Sequence, residues 1–358
     1  MKKVVVGMSG GVDSSVTAYL LKEQGYDVIG ITMQIWQDEK RECLEDNGGC
    51  CGFSAVDDAR SVARKIDIPY YVLNFKKEFK ENVIDYFIDE YSKGLTPNPC
   101  IACNRYVKWE SLLQKALSLG ADYIATGHYA RIVKHPITNR YTIKTANIEA
   151  KDQTYALYNL TQFQLEKTLM PIGDYDKDTV RKIAKDIGLV VANKPDSQDI
   201  CFVPDGNYSK FIKENSNVNI KEGNFIDING NVLGRHQGIT NYTIGQRKGL
   251  GIAFGKPMYV SEIRADKNEV VLTENDGLFK HNVLIKNFNF MSVEDIEGEV
   301  KVLGKLRYSQ KQSPCIIRKI DDNIVEAIFE QPQRAVTPGQ AAVFYDGEYV
   351  LGGGIIYK

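Results

Sequence analysis

The string Ser9-Gly10-Gly11-Val12-Asp13-Ser14-Ser15 constrains this chain more than any other, because of what stands on either side of it. Lys3–Val6 is a β-branched run that ends at Gly7, and Val16, Leu20 and Leu21 recur afterwards at helical spacing, with Ser14 placed to cap that helix. A strand that turns through two glycines into a helix lets backbone approach a ligand closely. The helix start adds unpaired N–H groups and a positive dipole end, a combination that suits pyrophosphate. Ser9, Ser14 and Ser15 supply hydroxyl donors, while Asp13 would repel a phosphate directly and is better suited to hold Mg²⁺ or orient the loop. The lysine of a Walker A loop is missing after the second glycine, and the G-x-G-x-x-G spacing of a dinucleotide site is absent too. The bland alternative is a plain strand-to-helix turn; the full string at the first βα junction favours a nucleotide site over it.

Further strand and helix signals alternate through the first half. Asp27–Met33 and Pro69–Phe75 read as strands, as does the short Tyr123–Thr126. Ser54 followed by Asp57 resembles a capping box for a helix with Val56, Ala59, Val62 and Ile66 on one face, and Phe79, Val83, Phe87 and Tyr91 are spaced for another. Gln37–Phe53 is polar and glycine-bearing and reads as a loop that could gate a site. This alternation implies an α/β domain with a parallel sheet covered on both faces. Past Ala150 the pattern turns helical, most clearly at Lys177–Ile187 before Gly188. Past about Asn219 the turn pairs Asn229-Gly230, Asp322-Asn323 and Asp346-Gly347 separate alternating apolar runs, the mark of small β-barrels or sandwiches. The division expected is 1–205, 206–273 and 274–358.

Composition narrows the class. The 358 residues carry 45 Lys+Arg against 46 Asp+Glu, a net charge of -1, which disfavours a nonspecific DNA coat but leaves room for local contact with a folded RNA. No apolar run approaches the length of a membrane helix, and three valines before Gly7 are too short for a signal peptide, so a cytoplasmic protein without a membrane partner is expected. Seven cysteines in such a chain do not read as a disulfide framework.

Two of those cysteines lie in Thr96-Pro97-Asn98-Pro99-Cys100-Ile101-Ala102-Cys103-Asn104, where a helix starting at Asn104 would put Cys103 near a helix N-terminus that stabilises a thiolate. Cys201 follows in Ser197-Gln198-Asp199-Ile200-Cys201-Phe202, and Cys315 reads as a buried core thiol. A structural zinc site needs four ligands, and neither Cys50-Cys51 nor His128 completes one with Cys100 and Cys103. Arg131, Lys134, Arg140, Lys144 and Lys151 cluster with only Glu149 opposing them, either a phosphate-contacting stretch or a solvated hairpin.

The glycine string resembles that of the ATP pyrophosphatase (PP-loop) superfamily. SGGVDSS, TPNPCIACN, ATGHYAR, SQDICFV and NYTIGQRKGLGI occur in the order seen in bacterial tRNA-specific 2-thiouridylases, and the resemblance runs from Val4 to the C-terminal glycines. It implies a PP-loop domain, a small central β domain and a C-terminal β-barrel. It implies ATP-dependent adenylation of the uridine 34 C2 oxygen in a tRNA anticodon, with sulfur transfer from a persulfide on Cys201. Cys103 is the partner nucleophile, and the two must be able to approach disulfide geometry, with Cα atoms within about 7 Å. A splayed anticodon uridine is a natural target for such chemistry.

By the same resemblance the ATP shell comprises Gly7, Met8, Ser9, Gly10, Gly11, Val12, Asp13, Ser14, Met33 and Gly127, with Mg²⁺. The tRNA contacts are Asn98, Pro99, Cys100, His128, Lys151, Asp152, Gln153, Arg307, Tyr308 and Gln340. Cys100 departs from relatives with aspartate there, and it opens a competing reading in which Cys100, Cys103 and Cys201 hold an iron–sulfur cluster. The implied partners are tRNA and a sulfur donor, a cysteine desulfurase or persulfide relay protein, acting on a monomer. Two other readings remain: a ligase of the same superfamily, which gives the cysteines no role, and an RNA-binding module with a vestigial loop, which leaves Ser9, Asp13 and Ser14 without purpose.

Overall fold

The computed structural model describes residues 1–35, 53–146, 151–195, 200–203, 205–217, 220–252 and 255–357. The expected loop over residues 37–53, with Cys43, Cys50 and Cys51, lies almost wholly outside them, as do residues 196–199 before Cys201.

In chain order the first strands are β1 (Lys3–Gly7), β2 (Asp27–Gln34), β3 (Tyr70–Asn74), β4 (Tyr123–Ala125), β5 (Arg131–Lys134), β6 (Tyr141–Lys144) and β7 (Thr168–Leu169). Five of them form a parallel sheet in the order β3-β2-β1-β4-β7. Val4, Val5 and Val6 are fully buried, as a strand covered on both faces requires. They alternate between two cores. Val5 joins the helices over residues 76–92 and 99–118, while Val4 and Val6 join helix α1 (Val12–Glu23) and the helix Lys177–Asp186. Phe79, Val83, Phe87 and Tyr91 face the first core, as their spacing predicts.

Local details correct three readings. α1 is capped by Gly11 with no side-chain bond, whereas Ser14 turns back into the loop: its hydroxyl accepts from Ser9 N–H at 3.1 Å. The helix carrying Ser54 begins at Phe53, so that serine lies inside it. The helix after the two prolines starts at Pro99, not Asn104. Proline loses nothing at the first helical position, and the Asn98 carboxamide accepts from Cys100 N–H and Ile101 N–H at 3.1 and 3.3 Å.

A four-stranded sheet follows, from β8 (Gly223–Ile226), β9 (Val232–His236), β10 (Tyr259–Arg264) and β11 (Glu269–Thr273), in the order β10-β11-β8-β9 around Phe225, Val260 and Val270. The last strands are β12 (Phe279–Phe290), β13 (Val300–Lys305), β14 (Ser313–Lys319), β15 (Ile324–Arg334), β16 (Ala341–Asp346) and β17 (Tyr349–Ile356). They close into a six-stranded barrel, because β12 pairs with β17 as well as β15. The three turn pairs join β8–β9, β14–β15 and β16–β17. Cys315 is buried inside the barrel, which pushes its thiol up to about 12.

The barrel is not a loose appendage. The β5–β6 hairpin extends its sheet through a Tyr349–Lys144 pairing, and Met291, Ala341, Val343, Tyr345 and Val350 share a core with the N-terminal helices. Thr142 and Tyr155 hydroxyls donate to Val350 O and Ala341 O, each at 2.8 Å. The basic cluster is largely spent on this junction. Arg131 donates to Thr145 O at 2.6 and 2.9 Å, Lys144 pairs with Glu348 at 2.8 Å, and Arg140 donates to Met291 O at 3.2 Å. Arg131, Arg140 and Lys144 are spent on these bonds, while Lys134 is exposed beside the Tyr141 ring and Lys151 stands outside the hairpin.

Candidate functional site

In the strand order β3-β2-β1-β4-β7 the connection direction reverses beside β1, and ligands of open α/β sheets bind in the crevice at the strands' carboxyl ends there. β1, β2 and β4 end at Gly7, Gln34 and Ala125, so parallel pairing gathers the loop Gly7–Ser14, Met33 and Gly127 at one edge. Gly10 has φ +71°, and a Cβ on it would lie 2.3 Å from Ala55 O. A Cβ on Gly127 would lie 2.7 Å from Ser14 N, so only glycine lets the segment after β4 cross the start of α1. Met8 and Val12 are buried, so these two can offer a nucleotide little beyond their backbone.

Asp13 is held in a way the sequence did not disclose. Tyr129 Oη donates to Asp13 Oδ1 at 2.7 Å, and Lys177 Nζ donates to both oxygens at 2.8 and 2.9 Å. A cation from the first turn of a distant helix is thus paired with the carboxylate of the glycine loop. One signal in the sequence points to Lys177: a lysine in a first helical turn opposes the helix dipole and calls for a specific partner. Oxygen donors alone, one carboxylate among hydroxyls, fit Mg²⁺ carried on nucleotide phosphates. Among the described residues no three His, Cys, Asp or Glu side chains are placed to hold a metal ion, so Cys100, Cys103 and Cys201 are not gathered as ready-made cluster ligands.

Cys100 occupies the second position of the helix starting at Pro99 and is exposed; Cys103 is half-buried and packs against the main core. The barrel supports this helix start. Gln340 Nε2 donates to Thr96 O at 2.8 Å, and Thr96 N–H donates to Pro338 O at 2.9 Å. Cys201 is also exposed, but its neighbours are anchored. Phe202 packs edge-on to Phe79 and Phe87 with centroids 5.7 and 5.4 Å away, and Ile200 lies against the same core as Cys103.

The remaining candidates divide. Tyr308 is half-exposed, and its phenol pKa is raised, first by burial and then by the charges of Asp152 and Cys100 near its hydroxyl, with Lys151 opposing them. Lys305, which sequence reasoning missed, holds its ammonium 5.5 and 5.9 Å from the Tyr308 and Tyr155 ring centres. Asp152 is buried, accepting from Ala146 N–H at 3.0 Å and the Thr154 hydroxyl at 2.6 Å, and burial raises its pKa. Gln153 Oε1 accepts from Tyr129 N–H at 2.9 Å. His128 stacks obliquely on Trp109 with centroids 5.5 Å apart, and its Nδ1 meets the Thr126 hydroxyl at 2.8 Å. Burial, and then the charge of Lys108, hold that imidazole well below its ordinary value, so it is neutral. Arg307 turns inward, donating to Ile244 O, Ala335 O and the Thr337 hydroxyl at 3.1, 2.9 and 2.5 Å. Cys100, Lys151 and Asp152 therefore lie near the Tyr308 hydroxyl, while the Arg307 guanidinium is directed away from it.

Three family models match the chain: a tRNA methyl transferase HUP domain over residues 2–205, a tRNA methyl transferase PRC-barrel domain over 209–274 and an aminomethyltransferase beta-barrel domain over 280–356. Among similar proteins, the tRNA-specific 2-thiouridylase MnmA of Lachnoclostridium phytofermentans is 64% identical over 358 residues, covering 100% of both chains. That of Clostridioides difficile is 58% identical over 357 residues, covering 100% of this chain and 98% of its own. That of Acetivibrio thermocellus is 59% identical over 355 residues, covering 99% of each. These full-length matches, rather than the methyl transfer in the domain descriptions, are the more specific likeness.

Proposed function

The chain belongs to the tRNA-specific 2-thiouridylase family, and from that premise we propose that it converts the anticodon uridine 34 of tRNA to 2-thiouridine at the expense of ATP. The uracil C2 oxygen attacks the α-phosphorus of ATP and pyrophosphate leaves. The terminal sulfur of a Cys201 persulfide attacks C2, and AMP departs with the former carbonyl oxygen. The Cys103 thiolate attacks the inner sulfur of Cys201, breaking the persulfide bond and forming a Cys103–Cys201 disulfide. An external thiol reductant then restores both cysteines. The persulfide sulfur comes from a cysteine desulfurase or relay protein.

The observation that carries this reading is that one hydrophobic core supports Cys103, the Ile200–Val203 stretch around Cys201 and the sheet whose carboxyl edge bears the glycine loop. Gly7 to Ser14, Met33 and Gly127 form the nucleotide shell, with Mg²⁺ on the phosphates. Asn98, Pro99, Cys100, His128, Lys151, Asp152, Gln153, Arg307, Tyr308 and Gln340 are the proposed tRNA-binding residues, some by contact and some through the backbone they support. Among them, Asn98, Asp152 and Arg307 act through the backbone they hold, as their bonds favour. The boundaries at 205 and 273 divide the catalytic unit from the two β units that grip the RNA.

The test is incubation of iron-free protein with ATP, Mg²⁺, unmodified tRNA and a persulfide donor. AMP, pyrophosphate and one 2-thiouridine per tRNA are expected, with Cys201→Ala leaving adenylation but no thiolation. ADP as product, or AMP formation indifferent to tRNA, overturns the reading. Activity only after iron and sulfide reconstitution replaces the persulfide route with the cluster.

A further inference from the structure

We propose that Tyr129 is a positioning residue that couples RNA docking to nucleotide handling, an inference resting on the reading above. Its two ends are tied to the two halves of the site. At the backbone, Tyr129 N–H donates to Gln153 Oε1 at 2.9 Å, and Gln153 N–H donates to Tyr129 O at 3.1 Å. The tyrosine is thereby locked to the segment Lys151–Gln153. At the phenol, its hydroxyl donates to Asp13 Oδ1 at 2.7 Å, inside the glycine loop. Lys177 completes the arrangement, with its ammonium on both Asp13 oxygens and 5.8 Å from the Tyr129 ring centre.

Tyr129 is buried and fully enclosed between these contacts. A rigid ring in a close-packed interior transmits displacement instead of absorbing it. The segment 151–153 is itself fastened, because Asp152 is pinned by Ala146 N–H and the Thr154 hydroxyl. RNA bearing on Lys151–Gln153 therefore moves the tyrosine backbone, and the phenol carries that shift to the Asp13–Lys177 pair in the glycine loop, where the proposed function places Mg-ATP. Two sites that bias one element in this way have a reciprocal coupling: tRNA changes the affinity for Mg-ATP by the same factor as Mg-ATP changes the affinity for tRNA.

The experiment is a binding cycle on the full chain with Mg-AMPCPP, an ATP analogue that cannot be cleaved between the α- and β-phosphates, and unmodified tRNA. It is measured for the parent, Tyr129→Phe and Gln153→Met, with thermal midpoints alongside. Tyr129→Phe removes one oxygen and keeps both backbone bonds. A hydrogen bond to a carboxylate governs about a tenfold or larger change in an equilibrium, so the coupling factor should fall by about that much toward unity. Affinity for tRNA alone should stay within about twofold. Gln153→Met, at the opposite end, should lower the same factor while Lys151 keeps its contact. A parent coupling factor that survives intact in Tyr129→Phe overturns the inference, as does a factor near unity in the parent. Either result leaves the proposed function standing if 2-thiouridine forms. Absence of 2-thiouridine from the parent defeats that reading separately.

Discussion

Gly10 and Gly11 are adjacent in the loop, yet the structure gives them different work. Alanine at Gly10 must hold φ +71°, which costs about 1–2 kcal/mol for an L side chain. Its methyl would also lie 2.3 Å from Ala55 O and 2.8 Å from Ala55 Cα, a backbone clash that no rotamer relieves. Overpacking of this kind adds about 1–3 kcal/mol. Gly10→Ala should therefore lose about 2–5 kcal/mol, a large part of a typical folding free energy. Gly11 has φ -97°, and a methyl there meets only the Ser9 hydroxyl at 3.4 Å. At this N-cap position alanine caps less well than glycine but leaves the unfolded chain less freedom, and Gly11→Ala should stay within about 1 kcal/mol of the parent. If the proposed close approach of the loop backbone to phosphate holds, a methyl beside the Ser9 hydroxyl should lower ATP affinity at least tenfold, about 1.4 kcal/mol. Urea denaturation followed by circular dichroism and nucleotide titration by calorimetry read the two quantities separately. Equal destabilisation by both substitutions refutes the clash argument, and unchanged ATP affinity in Gly11→Ala refutes the close approach of backbone to phosphate.

Arg307→Met should cost about 1.5–3 kcal/mol through the acceptors it abandons; all three bonds leave one nitrogen, Nη2, so Arg307→Lys, whose ammonium also carries several donors on one nitrogen, should recover part of that loss. Urea midpoints check this; a changed salt slope for tRNA with unchanged stability would instead make Arg307 a phosphate contact. Lys305→Gln should reduce the slope of log K for tRNA against log salt by about one, in a filter-binding series, if its ammonium meets a phosphate beside Tyr308. Folded His128 refuses a proton that the unfolded chain accepts below about 6.5, so its contribution to stability falls as pH drops through that value. His128→Gln should flatten the stability profile between about pH 5 and 6.5 by up to about 1.4 kcal/mol per pH unit, measured by urea midpoints. His236, also held low by burial, keeps a residual slope in the variant.

The glycine loop, the β-branched strands and the helix from Lys177 were legible because their causes are local: conformational freedom, periodicity and capping act within a few residues. The turn pairs of the two β regions were legible for the same reason, Gly230 in the four-stranded sheet and Gly347 in the barrel both taking positive φ. Closure of that barrel was expected from the family resemblance alone, since the turn pattern left a sandwich equally open and β12 meets β17 only when the whole sheet has curled round. Charge pattern did not reveal what Arg131, Arg140 and Lys144 do, since their partners at Thr145, Met291 and Glu348 are set by how the hairpin docks. The same holds for Lys177 on Asp13, for Arg307 facing inward while Tyr308 faces out, and for Lys305 between two tyrosine rings. By itself the sequence determined which residue types stand in the glycine loop and in the two cysteine motifs. Which carboxylate meets which cation, and which arginine is spent on structure, was decided only by packing. Side-chain partners far apart in the chain are chosen by the geometry of the assembled core, and no local pattern encodes that geometry.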